Sequence, residues 1–155
     1  MKAVIQRVSR GSVKIEPDYF AQIQNGLVVL LGVTHNDTIK DSNYLAEKIC
    51  NLRIFEDDSG KMNISVKEIG GEILSISQFT LYADSKKGNR PGFSEAAMPD
   101  IAIKLYDEFN ESLKSILGVS NIKTGKFGAN MEVEILNSGP VTIILESKDG
   151  KAAIQ

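Results

Sequence analysis

The sequence predicts one mixed α/β domain. Two stretches, 39–52 and 99–117, carry apolar residues at helical spacing, and several other stretches alternate polar and apolar residues as β-strands do. A chain of 155 residues has a one-domain length and buries roughly two-thirds of its unfolded surface. Its composition, 42% hydrophobic and 25% charged, is that of an ordinary globular protein. Residues 1–155 are therefore expected to form a single domain.

Both predicted helices have recognisable ends. Asp37 and Thr38 precede the first helix and either can cap it, while the second helix begins at Pro99 and stops at Gly118. The second helix repeats apolar residues every four positions, which indicates a core-facing stripe. That stripe consists of Ile101, Leu105, Phe109, Leu113 and Leu117.

The first third of the chain is typical of strands. Residues 2–16 form an extended stretch in which Gly11 marks a candidate bulge or bend. Arg7 lies inside this stretch, either at the rim of the sheet or as a fixed donor that orients another backbone segment. The stretches 19–23 and 27–33 flank an Asn-Gly pair, which predicts a hairpin. The second of them starts with five apolar residues and is expected to be a central strand.

The last third of the chain contains an interrupted strand. Residues 131–135 alternate, and the pattern resumes at 141–146 after Ser138, Gly139 and Pro140. Proline donates no backbone hydrogen bond, and glycine adopts angles closed to other residues. The simplest interpretation is a hairpin turn, and the alternative is a cis peptide bond that redirects the carbonyls of Ser138 and Gly139.

Several kinds of chemistry meet in the stretch 77–93. If the strand that starts at residue 72 continues, Gln78 and Thr80 extend an apolar face and line a pocket. The alternative is that both side chains are exposed on an edge strand. The residues that follow Thr80 are typical of a loop with turns, and this loop could bind a phosphate group. Its cations are Lys86, Lys87 and Arg90.

The remaining features exclude other function classes. With 18 basic and 20 acidic residues, the net charge is -2, so any nucleic-acid binding must be local. The lone cysteine, Cys50, suits a reducing compartment and an inert thiol. The lone histidine, His35, has no evident co-ligands, so neither a metal nor a cofactor is expected. No stretch has the pattern of a signal peptide or a membrane span, which predicts a cytoplasmic protein without a membrane partner.

Four segments, taken in order, resemble the D-aminoacyl-tRNA deacylase family. The resemblance extends from Arg7 to Thr142. It implies a cytoplasmic homodimer with a compact, barrel-like β-sheet core and two main helices. The implied reaction is hydrolysis of the ester between a D-amino acid and the 3′-terminal adenosine of tRNA, with glycyl-tRNA(Ala) as a further candidate substrate and no DNA partner. The segments are Ser77-Gln78-Phe79-Thr80-Leu81, Lys87-Gly88-Asn89-Arg90-Pro91, Gly125-Lys126-Phe127-Gly128-Ala129-Asn130-Met131 and Asn137-Ser138-Gly139-Pro140-Val141-Thr142.

The resemblance also implies a chiral filter. A Gly-cis-Pro unit, here Gly139-Pro140 next to Ser138, reaches into the partner subunit's pocket and is oriented by Arg7. Its carbonyls accept the α-amino group, while an L side chain clashes. Ser138 stands where the family commonly has aspartate, which leaves the fine substrate preference open.

The resemblance implies an aminoacyl-ester site lined by Ser77, Gln78, Phe79 and Thr80. An aminoacyl ester is already activated, so backbone N–H groups around Phe79 and Thr80 suffice to stabilise an oxyanion. We expect Thr80 to polarise the ester, with a nucleophilic role as the alternative. Phe127 and Met131 are candidates for holding the terminal adenine, and Lys86, Lys87 and Arg90 for contacting tRNA phosphates. A non-catalytic RNA 3′-end binding module is the alternative function.

Overall fold

The computed structural model describes residues 1–153. The chain forms β1 (Lys2–Ile15), β2 (Tyr19–Ile23), β3 (Gly26–Gly32), α1 (Ile39–Cys50), β4 (Phe55–Glu56), β5 (Met62–Ile64), β6 (Glu72–Ser77), α2 (Pro99–Leu117), β7 (Ile122–Thr124), β8 (Glu132–Lys148) and β9 (Lys151–Ala152). Short 3-10 turns lie at Phe79–Tyr82 and Val119–Asn121. In the main sheet the strand order is β7-β6-β3-β1-β8-β9, and β2 also pairs with β1.

The long strand β1 organises the main sheet. Residues 2–8 pair with β3 and residues 11–15 pair with β2, while β8 runs along the other edge. Gly11 lies where β1 changes partner, and a Cβ atom there would lie 2.6 Å from Val28 Cγ2. The glycine therefore permits the close packing that lets the sheet curl at this point.

The predicted hairpin between β2 and β3 is wrong. These two strands do not pair with each other but lie end to end along the same edge of β1. The hairpin instead joins β1 to β2, with Ile15 opposite Tyr19. The reason is the length of β1, which has room for two partners on one edge. The prediction of a central strand at 27–31 is confirmed, because β3 lies between β1 and β6 and is almost entirely buried.

Two further strand predictions are corrected. The strand β6 ends at Ser77, so Gln78 lies just before the following 3-10 turn and Thr80 lies on it, and neither is on a strand face. The strand β8 is continuous from Glu132 to Lys148, and no hairpin turn interrupts it. The Gly-Pro segment is accommodated instead as a bulge, because the register of β1 and β8 shifts there.

The two helices have the predicted ends and cover one face of the sheet. Thr38 caps α1, where its backbone N–H donates to the Asp41 carboxylate at 3.0 Å. The α2 stripe is confirmed at Leu105, Phe109 and Leu113, which are buried in the main core. Ile101 is an exception, because it is 40% exposed near the helix start. No helix within residues 1–153 is long and apolar enough to cross a membrane.

A second, smaller core lies on the other face of the sheet. Successive residues of a strand point to opposite faces, so β1, β3 and β6 each contribute to both cores. The buried residues of this second core are Val8, Val13, Ile23, Val28, Leu74 and Ile76. Apolar groups on both faces explain why β3 carries a continuous apolar run from Leu27 to Leu31.

Candidate active site

The segment that follows β6 forms an exposed turn with a polar pair. The Gln78 backbone N–H donates to the Leu31 carbonyl at 2.7 Å, which fixes the start of the turn to β3. The Gln78 side-chain Nε2 donates to Thr80 Oγ1 at 2.5 Å. Because the hydroxyl oxygen of Thr80 accepts this bond, its own proton is free to be donated to another group.

Backbone donors lie beside that hydroxyl. The N–H groups of Phe79 and Thr80 come first in the 3-10 turn, so they have no hydrogen-bond partner within it. The turn itself is closed by bonds from Leu81 N to Gln78 O at 3.3 Å and from Ala83 N to Thr80 O at 3.1 Å. Both Phe79 and Thr80 are exposed. The turn can therefore present two N–H groups and one O–H group to a bound carbonyl oxygen.

The basic loop is closed at its base. Asp84 and Gly92 exchange two backbone hydrogen bonds of 2.8 Å, so residues 85–91 project as a loop. The three predicted cations, Lys86, Lys87 and Arg90, are all exposed on it. Phe93 follows the loop and packs edge to face on Phe79.

The Gly139-Pro140 unit projects from the sheet opposite Arg7. Gln6 pairs with Thr142 and Val8 pairs with Asn137, so the intervening residues of β8 outnumber the single residue of β1 and bulge outward. The peptide bond between Gly139 and Pro140 is cis, and both residues are exposed. The residue pattern alone allowed a hairpin turn or a cis bond, and the cis geometry is the one that the family resemblance implies.

Arg7 is buried, and its guanidinium group is hydrogen-bonded to the backbone of the bulge. Its Nε donates to the Ser138 carbonyl at 3.2 Å, and its Nη1 donates to the Ile54 carbonyl at 2.8 Å. Its Nη2 lies 3.8 Å from a carboxylate oxygen of Glu56, whose side chain is 61% exposed. Of the two alternatives for Arg7, the structure favours the fixed donor that orients another segment. Sequence reasoning missed the contacts that Ile54 and Glu56 make with Arg7.

Phe127 and Met131 lie on the loop between β7 and β8. Phe127 is half-buried, with its ring centroid 6.2 Å from that of Tyr106. The Tyr106 hydroxyl donates to the Ser75 carbonyl at 2.8 Å, and the Gly125 N–H donates to the same oxygen at 3.0 Å. Tyr106 thus supports this loop from α2. Sequence reasoning missed this residue, and its place beside Leu105 on the buried stripe was the one available signal.

The structure separates the two groups of candidate residues. The turn with Gln78 and Thr80 follows β6, whereas the Gly139-Pro140 bulge lies on β8, and β3 and β1 lie between these strands. Neighbouring strands are about 4.8 Å apart, so the two groups are separated by the width of several strands. Within one chain, the structure joins Arg7 to the bulge and Gln78 to Thr80, but it does not bring the two pairs together.

The lone cysteine and histidine lie outside both groups. Cys50 is fully buried, and burial raises the pKa of its thiol to about 12, which suits the predicted inert role. His35 is exposed, and its Nε2 lies 2.6 Å from the Ser94 carbonyl, to which it donates. Residues 1–153 contain no cluster of His, Cys, Asp or Glu side chains suited to a metal ion.

Comparison with known proteins identifies the family. A family model described as D-Tyr-tRNA(Tyr) deacylase matches residues 4–146. The chain belongs to this family. A D-aminoacyl-tRNA deacylase of Geobacillus sp. (strain WCH70) is 54% identical over 149 residues, which cover 96% of this chain and 97% of the relative. A D-aminoacyl-tRNA deacylase of Bacillus cereus (strain B4264) is 55% identical over 148 residues, which cover 96% of this chain and 100% of the relative.

Two solved structures share the fold of this chain. One described as c-Myc DNA Unwinding Element Binding Protein has a TM-score of 0.90 and 47% identity, over 96% of this chain and 99% of that chain. One described as a probable eukaryotic D-amino acid tRNA deacylase has a TM-score of 0.81 over 92% of this chain and 97% of that chain. Its 18% identity shows a shared fold. The predicted family and the barrel-like α/β fold with two helices are confirmed, whereas the roles of individual site residues stay predictions.

Proposed function

We propose that this chain hydrolyses the ester bond between a D-amino acid and the 3′-terminal adenosine of tRNA, in the cytoplasm and as one domain. As a member of the D-Tyr-tRNA(Tyr) deacylase family, it is a hydrolase that acts on aminoacyl-tRNA. The observation that carries the proposal is the Gln78–Thr80 hydrogen bond on an exposed turn, which leaves the Thr80 proton available to a bound ester. Hydrolysis would return mischarged tRNA to use in translation.

The proposed chemistry needs little more than positioning. Water, assisted by the ribose 2′-hydroxyl, attacks the ester carbonyl, and negative charge develops on the carbonyl oxygen. The bond from the carbonyl carbon to the ribose 3′ oxygen then breaks, and that oxygen takes up the proton released by the attacking water. The N–H groups of Phe79 and Thr80 and the Thr80 hydroxyl donate to that oxygen. Gln78 holds the hydroxyl in place, and Ser77 anchors the turn at the end of β6. Thr80 acts as a donor here and not as a nucleophile.

Stereochemical selection is assigned to the Gly139-Pro140 bulge of a second copy of the chain. The bulge is exposed and is held by a hydrogen bond from Arg7. Both features favour a role as a rigid segment that enters the candidate active site of the neighbouring subunit. The carbonyls of the Gly139-Pro140 unit accept the α-amino group, and this unit occupies the space that an L side chain needs. Glycine has no side chain to exclude, so glycyl-tRNA(Ala) is also accepted.

A homodimer follows from this assignment. Within residues 1–153, β8 pairs on its outer side only with β9, near its end at Ser147 and Lys148. Two aliphatic side chains of β8, Leu136 and Ile144, are 52% and 54% exposed. A second copy of the chain that covers this strand would bury these side chains. It would also place the Gly139-Pro140 bulge of each subunit at the candidate active site of the other. Analytical ultracentrifugation should give a dimer, and an active monomer would contradict the cross-subunit filter.

The remaining contacts are assigned to the tRNA 3′ end. Phe127 and Met131 hold the terminal adenine, one by stacking and the other by a thioether contact. Lys86, Lys87 and Arg90 contact the phosphates of the acceptor end, so binding should weaken as salt rises.

The decisive experiment measures release of D-tyrosine from D-Tyr-tRNA with enzyme far below substrate concentration. Turnover on D-Tyr-tRNA, with L-Tyr-tRNA left intact and with no effect of a chelator, is the expected result. Tight binding to the tRNA 3′ end without release would favour the alternative of a non-catalytic binding module. Equal hydrolysis of D-Tyr-tRNA and L-Tyr-tRNA would support the proposed esterase activity but contradict the proposed chiral selection.

A further inference from the structure

An exposed aromatic pair lies beside the candidate active site. The rings of Phe79 and Phe93 pack edge to face, with centroids 4.9 Å apart and an interplanar angle of 68°. Phe79 is 58% exposed and Phe93 is 38% exposed. The chemistry assigned to this turn uses the Phe79 backbone and not its ring. Two adjoining aromatic rings left in solvent are typical of a surface that binds something.

The segment that carries Phe93 is firmly attached to the sheet. Thr34 Oγ1 donates to the Glu95 carbonyl at 2.6 Å, and His35 Nε2 donates to the Ser94 carbonyl at 2.6 Å. The Ala97 N–H adds a bond to the Val33 carbonyl at 2.9 Å. The backbone that follows Phe93 is thus fixed, and its ring packs on Phe79 before any ligand arrives, which reduces the entropy lost on binding.

Charge beside the pair favours a polyanion as the ligand. The loop between Asp84 and Gly92 carries three exposed cations and ends one residue before Phe93. Aromatic rings next to lysine and arginine side chains match a single-stranded nucleic acid, whose bases stack while its phosphates meet the cations. An apolar protein segment would gain nothing from these charges.

We propose that Phe79 and Phe93 form a stacking surface for a base of the single-stranded tRNA 3′ end, upstream of the terminal adenosine. The inference rests on the proposed function, which places the ester at Thr80 and the terminal adenine at Phe127. A strand that leaves this position toward the cations passes the aromatic pair, since Phe79 adjoins Thr80 and Phe93 adjoins the basic loop. Stacking is tolerant of sequence, so the surface serves tRNAs with different upstream bases.

A comparison of two substrates tests the inference. D-Tyr-tRNA has the upstream bases, and D-tyrosyl-adenosine lacks them. In the full-length Phe93→Leu variant, we expect the ratio of KM for D-Tyr-tRNA to KM for D-tyrosyl-adenosine to rise about tenfold. Phe93→Tyr keeps an aromatic face and should restore the ratio. Phe20 is 62% exposed on β2, which pairs with the far end of β1, so Phe20→Leu is a matched control that should change neither KM.

Other results would overturn the inference. An unchanged ratio in Phe93→Leu, with both KM values raised equally, would mean that the ring supports the ester site or the terminal adenine. A change of oligomeric state in this variant would make the pair a subunit contact. If the unmodified protein hydrolyses neither substrate, the proposed function itself fails, and the stacking surface fails with it. Hydrolysis by the unmodified protein together with an unchanged ratio rejects the stacking surface alone.

Discussion

Arg7 and Ser138, 131 positions apart in the sequence, are joined by a hydrogen bond of 3.2 Å from the arginine Nε to the serine carbonyl. The same guanidinium donates to the Ile54 carbonyl at 2.8 Å. One buried side chain therefore ties the bulge of β8 to the segment before β4. A lysine in this place has a single ammonium group and cannot reproduce the two directed bonds.

We expect Arg7→Lys to lower kcat/KM on D-Tyr-tRNA by about tenfold and to increase hydrolysis of L-Tyr-tRNA relative to it, because the bulge loses a charge-assisted bond. Parallel assays on the two substrates measure this. The control is Arg10→Lys, three residues along β1, whose guanidinium forms an exposed pair with Glu134 at 2.9 Å. Equal behaviour of the two variants would show that Arg7 does not orient the bulge.

Gly139 combines a left-handed backbone with crowding. Its φ is +117°, and a Cβ atom there would lie 2.9 Å from both Arg7 Nη2 and Val141 Cγ2. Gly139→Ala must therefore displace the bulge, and a shift near 1 Å in a positioning element reduces kcat/KM by about 100-fold. Gly60 is a matched control, since its φ is +75° but nothing lies within 4 Å of its would-be Cβ.

The control separates backbone strain from crowding. Gly60→Ala should cost about 1 kcal/mol of unfolding free energy and leave kcat/KM unchanged. Gly139→Ala should lose both stability and activity, as measured by urea denaturation and by D-Tyr-tRNA hydrolysis. Full activity of a folded Gly139→Ala variant would contradict the proposed role of the Gly139-Pro140 bulge.

Thr80 is expected to contribute less than the bulge. Its hydroxyl is one of several donors on the turn, and the N–H groups of Phe79 and Thr80 remain in Thr80→Ala. We therefore expect the rate on D-Tyr-tRNA in single-turnover assays to fall by less than the roughly 100-fold loss expected for Gly139→Ala. Complete loss of turnover, with a covalent aminoacyl intermediate trapped on the unmodified protein, would assign Thr80 as the nucleophile.

Local signals explain why the helices were predictable from the sequence. Pro99 and Gly118 mark the observed ends of α2, and Thr38 caps α1 as expected. These signals act within one helical turn, so they need no tertiary information. The strand pairing was not predictable in the same way. The Asn-Gly pair at 25 and 26 has the residues of a hairpin turn, but the partner of each strand depends on the length of β1.

The candidate site was likewise predictable only where the signal is local in sequence. The motif containing Gln78 and Thr80 was found from the sequence, but their placement on a turn was not, because a continuing strand fits the alternation equally well. The Arg7–Ser138 contact joins distant parts of the chain, so only the family resemblance pointed to it. Tyr106 and Glu56 carry no motif of their own, and their contacts emerge only from the fold.

The Asp41 carboxylate makes the stability of the chain sensitive to acid. Burial alone would raise its pKa, but N–H donors from Gly150 and Thr38 and the Thr38 hydroxyl outweigh burial and lower the pKa from 3.8. A carboxylate whose pKa is lowered in the folded state stabilises the fold at pH values above its pKa in the unfolded state. This contribution disappears as the pH falls through the pKa of the folded state.

We expect Asp41→Asn to lose about 1–3 kcal/mol of unfolding free energy at pH 7 and to show a smaller further loss below about pH 4. Urea unfolding at several pH values measures this, with the exposed Asp58→Asn as control. Parallel acid sensitivity in Asp41→Asn and the unmodified protein would show that Asp41 is not the responsible group.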